Sequence, residues 1–264
     1  MKKKPRGTSG TEEEFSMLDP RNQTEKDREY AGRLATYYKN SQGGSIDKLR
    51  NFTKYVPRQT LSIFLAKNAL FQRILGIHGH IVECGVYLGA GLMTWGQLSA
   101  IHEPYNHVRR VVGFDTFTGF AKVHSKDKGN KNLVYLDEGG LAADAYKDLR
   151  ECIELYDLNR PIGHIPRVEM VVGDSTRTIP EYVKRKPSMV VALLYLDFDL
   201  YEPTKSAIET LLPRMPKGAI IAFDELDQEA WPGETQALLE TVPLRKLRIE
   251  RFPFTPQLSF AVIE

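Results

Sequence analysis

Between His80 and Phe223 the chain alternates five short apolar runs with helical stretches, a rhythm that constrains its fold more than any other feature. Strands separated by helices need crossover connections, which lay the strands parallel in one sheet with helices on its faces. The runs are His80 to Cys84, Val108 to Phe114, Val168 to Val172, Met189 to Leu196 and Ala219 to Phe223. Helices are expected over 91–102, 146–158, 179–185 and 204–212. Beyond a helix at 234–241, Leu247 to Phe254 and Leu258 to Ile263 are β-rich and joined only by Thr255-Pro256-Gln257. So short a connection joins antiparallel strands, because a parallel crossover needs about a dozen residues or more. The expected class is α/β, a seven-stranded sheet closed by an antiparallel C-terminal hairpin.

Upstream, Glu25 to Lys39 has helical spacing, and Gly43-Gly44 breaks it. A second helix is expected within 51–76, starting near Pro57, which suits a first helical turn, and leaving at Gly76. The chain thus reads as a mobile polar tail (1–25), an N-terminal helical extension (26–76) and a main domain (77–264). The irregular span Ala121 to Asp144 is too long for a plain connection and reads as a lid. With 264 residues, 42% of them hydrophobic, the chain can bury a core without disulfides or metal staples. A net charge of +2 gives no general attraction to nucleic acid or to a membrane. No run approaches the ~20 apolar residues that span a bilayer. Cys84 and Cys152 fit no zinc or redox spacing. The basic opening Met1-Lys2-Lys3-Lys4-Pro5 has no apolar segment behind it, so no secretory signal is expected and the location reads as cytoplasmic.

The run Met189 to Leu196 is apolar throughout, as in a strand buried on both faces, and ends in Asp197-Phe198-Asp199. Ligands of open α/β sheets bind at the carboxyl ends of such strands. On an extended chain residues i and i+2 point the same way, so Asp197 and Asp199 are expected to face one cavity. The run Ala219 to Phe223 ends in Asp224-Glu225. Carboxylates meeting at one rim repel one another, which favours a hard divalent cation among them; the alternative is solvated loop acids.

The first run ends as Glu83-Cys84-Gly85-Val86-Tyr87-Leu88-Gly89-Ala90-Gly91. Glycines there admit a ligand close to the backbone, and G-x-x-x-G-x-G differs from the G-x-G-x-x-G of dinucleotide sites. Asp115 ends the second run, followed by Thr116 and Gly119. A carboxylate in that place can accept from both hydroxyls of a ribose. The third run ends in Gly173-Asp174-Ser175, placed for an adenine edge. Each acid alone could be a helix N-cap. Three successive strand ends with acid or glycine read as an S-adenosylmethionine site, with Glu83, Gly85, Gly89, Asp115, Thr116, Gly119, Asp174, Ser175 and Asp197 around the cofactor.

Five parallel strands with an antiparallel hairpin resemble the Rossmann-like sheet of class I methyltransferases. Val82-Glu83-Cys84-Gly85-Val86, Asp115-x-Phe117-x-Gly119, Gly173-Asp174-Ser175, Leu196-Asp197-x-Asp199-Leu200-Tyr201 and Asp224-Glu225 together resemble the macrocin O-methyltransferase family, over about Tyr55 to Glu240. The resemblance implies metal-dependent methylation of sugar hydroxyls in antibiotic biosynthesis. It implies Asp197, Asp224 and Glu225 as Mg2+ ligands, Asp199 as general base and Thr60 near the methionine end of the cofactor. Where the family usually carries two aspartates, this chain has Asp224-Glu225, and Tyr87-Leu88 replaces the usual Trp-Arg.

The expected activity is therefore Mg2+-dependent methyl transfer from S-adenosylmethionine to a deoxysugar, either nucleotide-linked or carried on a natural product. A catechol or other vicinal diol is an alternative acceptor, and a non-catalytic nucleotide-binding module an alternative of another class. The partner expected is a small-molecule sugar, with no nucleic acid or membrane, in a homo-oligomer to which the N-terminal helices lend themselves. His124, in the lid, is an alternative base or an ordinary lid contact, and Trp231 is expected to touch the acceptor.

Overall fold

A computed structural model describes residues 24–129 and 136–264. Nearly all of the expected tail and the centre of the expected lid lie outside the described residues. Two compact units divide between Leu61 and Ser62, not at the expected 76/77. The division falls inside a helix because Ala66, Leu70 and Phe71, downstream of it, are buried in the apolar core of the second unit.

The N-terminal unit holds α1 (Glu25–Asn40), α2 (Ser45–Arg50) and a 3-10 turn at Phe52–Lys54, and it ends in the first turn of α3 (Arg58–Arg73). Thr24 and Asp27 close a reciprocal cap on α1, each side chain accepting the other's backbone N–H. The expected helices are present; α2, too short for its periodicity to show, is an addition.

In the second unit β1 (His80–Cys84), β2 (Val111–Asp115), β3 (Val168–Val172), β4 (Val191–Leu196) and β5 (Ile220–Phe223) are parallel, while β7 (Thr255–Val262) runs antiparallel between β5 and β6 (Glu250–Phe252). The order is β3-β2-β1-β4-β5-β7-β6. Connections leave β1 towards one edge and β4 towards the other, so the topological switch point lies between these two strands. The crossover helices are α4 (Ala90–His102), α5 (Tyr146–Leu158), α6 (Ser175–Arg185), α7 (Tyr201–Leu211) and α8 (Pro232–Thr241).

Strand alternation divides the core. Ile81, Leu193 and Tyr195 pack with Leu70, Phe71, Leu92, Trp95 and Leu149 on one side of the sheet. Val82, Cys84, Leu194 and Leu196 pack with Ile179, Ile208, Leu211 and Leu238 on the other. Each fully buried side chain of this size contributes about 1.5–3 kcal/mol, so the central strands are the most firmly held part of the molecule.

Several expected boundaries move, α7 for example starting at Tyr201 rather than 204 and β6 at Glu250 rather than 247, and three of the shifts have a visible cause or consequence. β2 begins at Val111 rather than Val108, because Asn106 binds the backbone N–H groups of Val108 and Arg109. α6 begins at Ser175 rather than 179, because Asp174 accepts the N–H of Thr176 and caps it. Thr255-Pro256-Gln257 lies within β7, and the hairpin turns at Pro253-Phe254. Among the described residues no helix is long and apolar enough to cross a membrane.

Candidate active site at the carboxyl ends of the central strands

The carboxyl ends of β1 and β4 approach closely at Gly85, where φ is +96° and a Cβ would lie 1.9 Å from the carbonyl oxygen of Asp197. Only glycine fits there. The N–H of Asp197 bonds the carbonyl of Cys84 at 2.8 Å, and that of Gly85 bonds the carbonyl of Phe114 at 2.9 Å, so three strand ends are tied together. Gly89 begins α4 with φ +88°, and a Cβ there would overlap Leu149. The glycine spacing is thus explained first by packing.

Asp115 binds the turn after β1. Its Oδ2 accepts from the N–H of Val86 and Tyr87 at 2.7 and 2.9 Å, and Oδ1 from Phe117 N–H at 2.7 Å. A carboxylate has about four acceptor positions, so three backbone bonds leave one for a ribose hydroxyl, not the pair expected from sequence. Thr116 donates to the carbonyl of Gly119 at 2.6 Å, shaping the turn that leads into the lid. Asp174 is occupied as the α6 cap, and Ser175 is buried beside it. Thr60 stands in the first turn of α3, in the N-terminal unit.

Glu83 is in the core, not the crevice where sequence alone places it. Strand alternation sends its side chain to the α3/α4 side, where it is 1% exposed and Oε1 pairs with Lys67 Nζ at 2.7 Å. Lys67 Nζ also lies 3.9 Å from the ring centre of Tyr195. Gly91 leaves room for this buried pair, since a Cβ there would lie 2.0 Å from Glu83 Oε1.

The acidic rim follows from strand register. Leu196 pairs with Phe223, so Asp197 and Asp224, the next residue on each strand, leave the sheet side by side, about 4.7–4.9 Å apart as neighbouring strands are. Tyr195 Oη donates to Asp224 Oδ1 at 2.5 Å. Asp199 comes to the rim by another route than expected: β4 ends at Leu196 and Asp199 takes φ +60°, so the extended i, i+2 geometry does not hold. Burial first, then the charges of Asp224 and Asp199, raises the Asp197 carboxyl well above the ordinary range. Burial, then Asp224 and Asp127, pushes the Asp199 carboxyl up to about 7.

Two acids outside the expected set complete the corner. Glu234, in the first turn of α8, is 0% exposed; its Oε1 accepts the Glu225 N–H at 3.1 Å while Oε2 has no partner. Asp127, in the described part of the lid, is 1% exposed and accepts the N–H groups of Tyr201 and His124, both at 2.6 Å. The expected lid is closed at its neck, where Phe120 N–H donates to the carbonyl of Gly140 at 3.0 Å and Gly139 N–H donates to the carbonyl of Phe120 at 2.8 Å. His124 serves locally: its Nδ1 accepts the Lys126 N–H and its ring lies 5.0 Å from that of Tyr201. Trp231 packs edge-on against Phe120.

Among the described residues no group of three or more His, Cys, Asp or Glu side chains is arranged so that it could hold a metal ion. Mg2+ seldom needs such a cage: it binds through one or two carboxylates and keeps water or substrate oxygen in its other positions. Asp197 and Asp224, side by side where β4 and β5 end, are two carboxylates that fit that open mode.

The chain matches known proteins in sequence and fold. A relative from Streptomyces olivaceus, 8-demethyl-8-(2,3-dimethoxy-alpha-L-rhamnosyl)-tetracenomycin-C 4'-O-methyltransferase, is 28% identical over 155 residues, 57% of this chain and 54% of that protein. The match therefore spans about half of that relative's length. The crystal structure of the calicheamicin methyltransferase CalS11 superposes with a TM-score of 0.87 at 32% identity, covering 97% of this chain and 98% of that one. An apo structure of the same protein, described as a TDP-rhamnose 3'-O-methyltransferase, gives 0.79 at 33% identity, covering 93% and 99%. The O-methyltransferase NovP shares the fold at 0.58 and 20% identity, over 76% of this chain and 78% of that one. The sheet is the expected class I methyltransferase sheet. Residues 67–246 match the family profile described as macrocin O-methyltransferase, and the chain belongs to the macrocin O-methyltransferase family.

Proposed function

We propose that this chain transfers a methyl group from S-adenosylmethionine to a hydroxyl of a 6-deoxysugar, with Mg2+, in the making of a glycosylated antibiotic. The observation that carries the reading is the meeting of Asp197, Asp199 and Asp224 at the adjoining ends of β4 and β5, next to the switch point. The sugar class is supported by the relatives, since two of them are named for rhamnose or rhamnosyl substrates.

When bound, S-adenosylmethionine supplies an electrophilic methyl group and Mg2+ a charge that acidifies and orients neighbouring hydroxyls. Asp197, Asp224 and Glu225 would hold the cation. Tyr195 fixes one Asp224 oxygen, which orients the other. Gly85, Gly89 and the turn held by Asp115, with Thr116, Gly119, Asp174 and Ser175, would bind the cofactor. Asp199 would accept the hydroxyl proton at a carboxylate oxygen, and a carboxyl pushed up to about 7 is matched to that task near neutrality. Positioning of the two reactants is the larger part of such catalysis, about 7–11 kcal/mol for well-aligned groups.

The reading includes a homo-oligomer formed through the N-terminal helices, where Ile46 and Leu49 are exposed, which light scattering tests. The activity is tested with purified protein and methyl-labelled cofactor against nucleotide-linked deoxysugars, glycosylated natural products and catechols. Label should enter a deoxysugar, stop with chelator and resume with Mg2+. Transfer to catechols alone would overturn the sugar assignment, and transfer indifferent to chelator would overturn the metal.

A further inference from the structure

Two buried charges of the second unit take no part in the mechanism above. Lys67, on α3, and Glu83, on β1, pair at 2.7 Å with side chains 4% and 1% exposed. They lie on the side of the sheet where Leu70, Phe71, Trp95 and Tyr195 form the apolar core. Replacing such a pair by apolar side chains of similar volume is often neutral or even stabilising. Stability alone therefore does not account for placing an ammonium there.

The ammonium has a second neighbour. Lys67 Nζ lies 3.9 Å from the centre of the Tyr195 ring and 5.0 Å from that of Trp95, distances at which a desolvated cation is drawn to an aromatic face. Trp95 meets the Tyr195 ring edge-on at 5.6 Å, so that ring is held by an indole and by a charge that Glu83 keeps in place. Gly91 makes the space, since a Cβ there would lie 2.4 Å from Lys67 Nζ and 2.0 Å from Glu83 Oε1. The far end of the same tyrosine reaches the acidic rim, where its Oη donates to Asp224 Oδ1 at 2.5 Å. A phenylalanine would fill the core equally well; only the hydroxyl makes that bond. One line of contacts thus runs from Glu83 through Lys67 and Tyr195 to Asp224.

We propose that Lys67 is a positioning residue for Asp224: its ammonium, anchored by Glu83, fixes the Tyr195 ring whose hydroxyl holds that carboxylate. The inference rests on the reading of the acidic rim as the seat of methyl transfer, and it makes no use of the cation.

The test uses the full chain carrying Lys67→Met/Glu83→Gln, because removing one charge alone would strand the other in the core. Met and Gln nearly restore the volume, so the fold should persist, which thermal melts check. Crystal structures of wild type and variant without acceptor give the first readout. In the variant the Tyr195–Asp224 bond should pass beyond hydrogen-bond reach, or Asp224 should take more than one conformation. An intact bond with Asp224 in a single conformation would overturn the role of Lys67. The second readout is methyl transfer to the deoxysugar that accepts label. There kcat should fall by about 10- to 100-fold, the scale of a small misplacement in an active site, while calorimetry shows cofactor affinity unchanged. Adding Tyr195→Phe to the variant should cost little more, because all three side chains act on one carboxylate. Losses that multiply, or a variant that turns over like wild type, would overturn the proposal. Should wild type methylate no deoxysugar, the functional reading falls, and the two crystal structures still decide whether Lys67 positions Asp224. If the variant does not fold, Lys67→Leu/Glu83→Met, which refills the space with apolar volume, is read in the same two ways.

Discussion

Removing the Asp127 carboxylate should loosen the turn that carries Asp199. Asp127 stands in for a cap that α7 lacks: its N-cap residue, Leu200, has no side chain able to bind the first N–H groups, and Asp127 accepts Tyr201 N–H from across the fold. The same carboxylate accepts His124 N–H, fastening the lid to α7. Hydrogen bonds to a charged group contribute about 1.5–3 kcal/mol each, so two would reach about 3–6 kcal/mol. Burial offsets part of this, since it raises the Asp127 carboxyl in spite of both backbone bonds. The net loss for Asp127→Ala is therefore about 2–3 kcal/mol, or about 4–12 °C in melting temperature for a chain of this size. Asp199 lies two residues before Tyr201 in a left-handed conformation that depends on its surroundings. Asp127→Ala should thus lower kcat by about tenfold, the equivalent of about 1.4 kcal/mol in placement of the base, with a smaller change in KM for the cofactor. Asp127→Asn keeps one acceptor and should lose about half as much stability. Calorimetric melts and steady-state kinetics on both variants provide the check. If Asp127→Ala melts with wild type and turns over at the same rate, the lid is not anchored in this way and Asp199 does not depend on it.

Other perturbations have equally defined outcomes. A carboxyl whose folded-state pKa is raised holds its proton more tightly folded than unfolded, so its favourable contribution is complete below the unfolded value and is lost as pH rises through the folded one. For Asp199 that window runs from 3.8 to about 7, with Asp197 and Glu234 raised in the same direction. Metal-free protein should therefore melt progressively lower between about pH 4 and 7, and Mg2+ should restore most at the upper end; a melting temperature that rises over this range would refute the charged corner. Gly85→Ala meets strain of about 1–3 kcal/mol from its positive φ even before the overlap with Asp197, and should separate β1 from β4; an unchanged melting temperature would rule the close approach out. Asp199→Asn should lower kcat by about 10²–10⁴-fold while calorimetry shows cofactor binding retained; a lost cofactor affinity would place Asp199 in the wrong role.

The sheet was legible because its strands are apolar on both faces and flanked by polar turns. β1, β3 and α5 fall where periodicity put them, at His80–Cys84, Val168–Val172 and Tyr146–Leu158. The errors lie where local pattern and tertiary contact diverge. Val108 is an apolar residue whose backbone N–H is claimed by the Asn106 side chain, so an apolar run overstated the length of β2. Glu83 carries a charge inside a strand, which by itself suggests a ligand; what neutralises it is Lys67, 16 residues upstream on α3, and no local rule pairs them.

The site was half legible for a related reason. Asp197 and Asp224 follow from two apolar runs that end in acids, because parallel neighbours in register must release adjacent residues at the same rim. Glu234 and Asp127 follow from nothing so local: an acid in a first helical turn is favoured by the helix dipole wherever it points, and an acid in a loop is ordinarily solvated. A signal was nevertheless present in Gly233. Glycine in a helix costs about 0.8–1 kcal/mol relative to alanine, and at this position its absence of a side chain lets α8 approach Asp127, Tyr201 and Asp199 together. A glycine beside an acid at the start of a helix, shortly after an acidic strand end, is thus the feature that would direct a search of similar sequences to a third carboxylate-bearing segment.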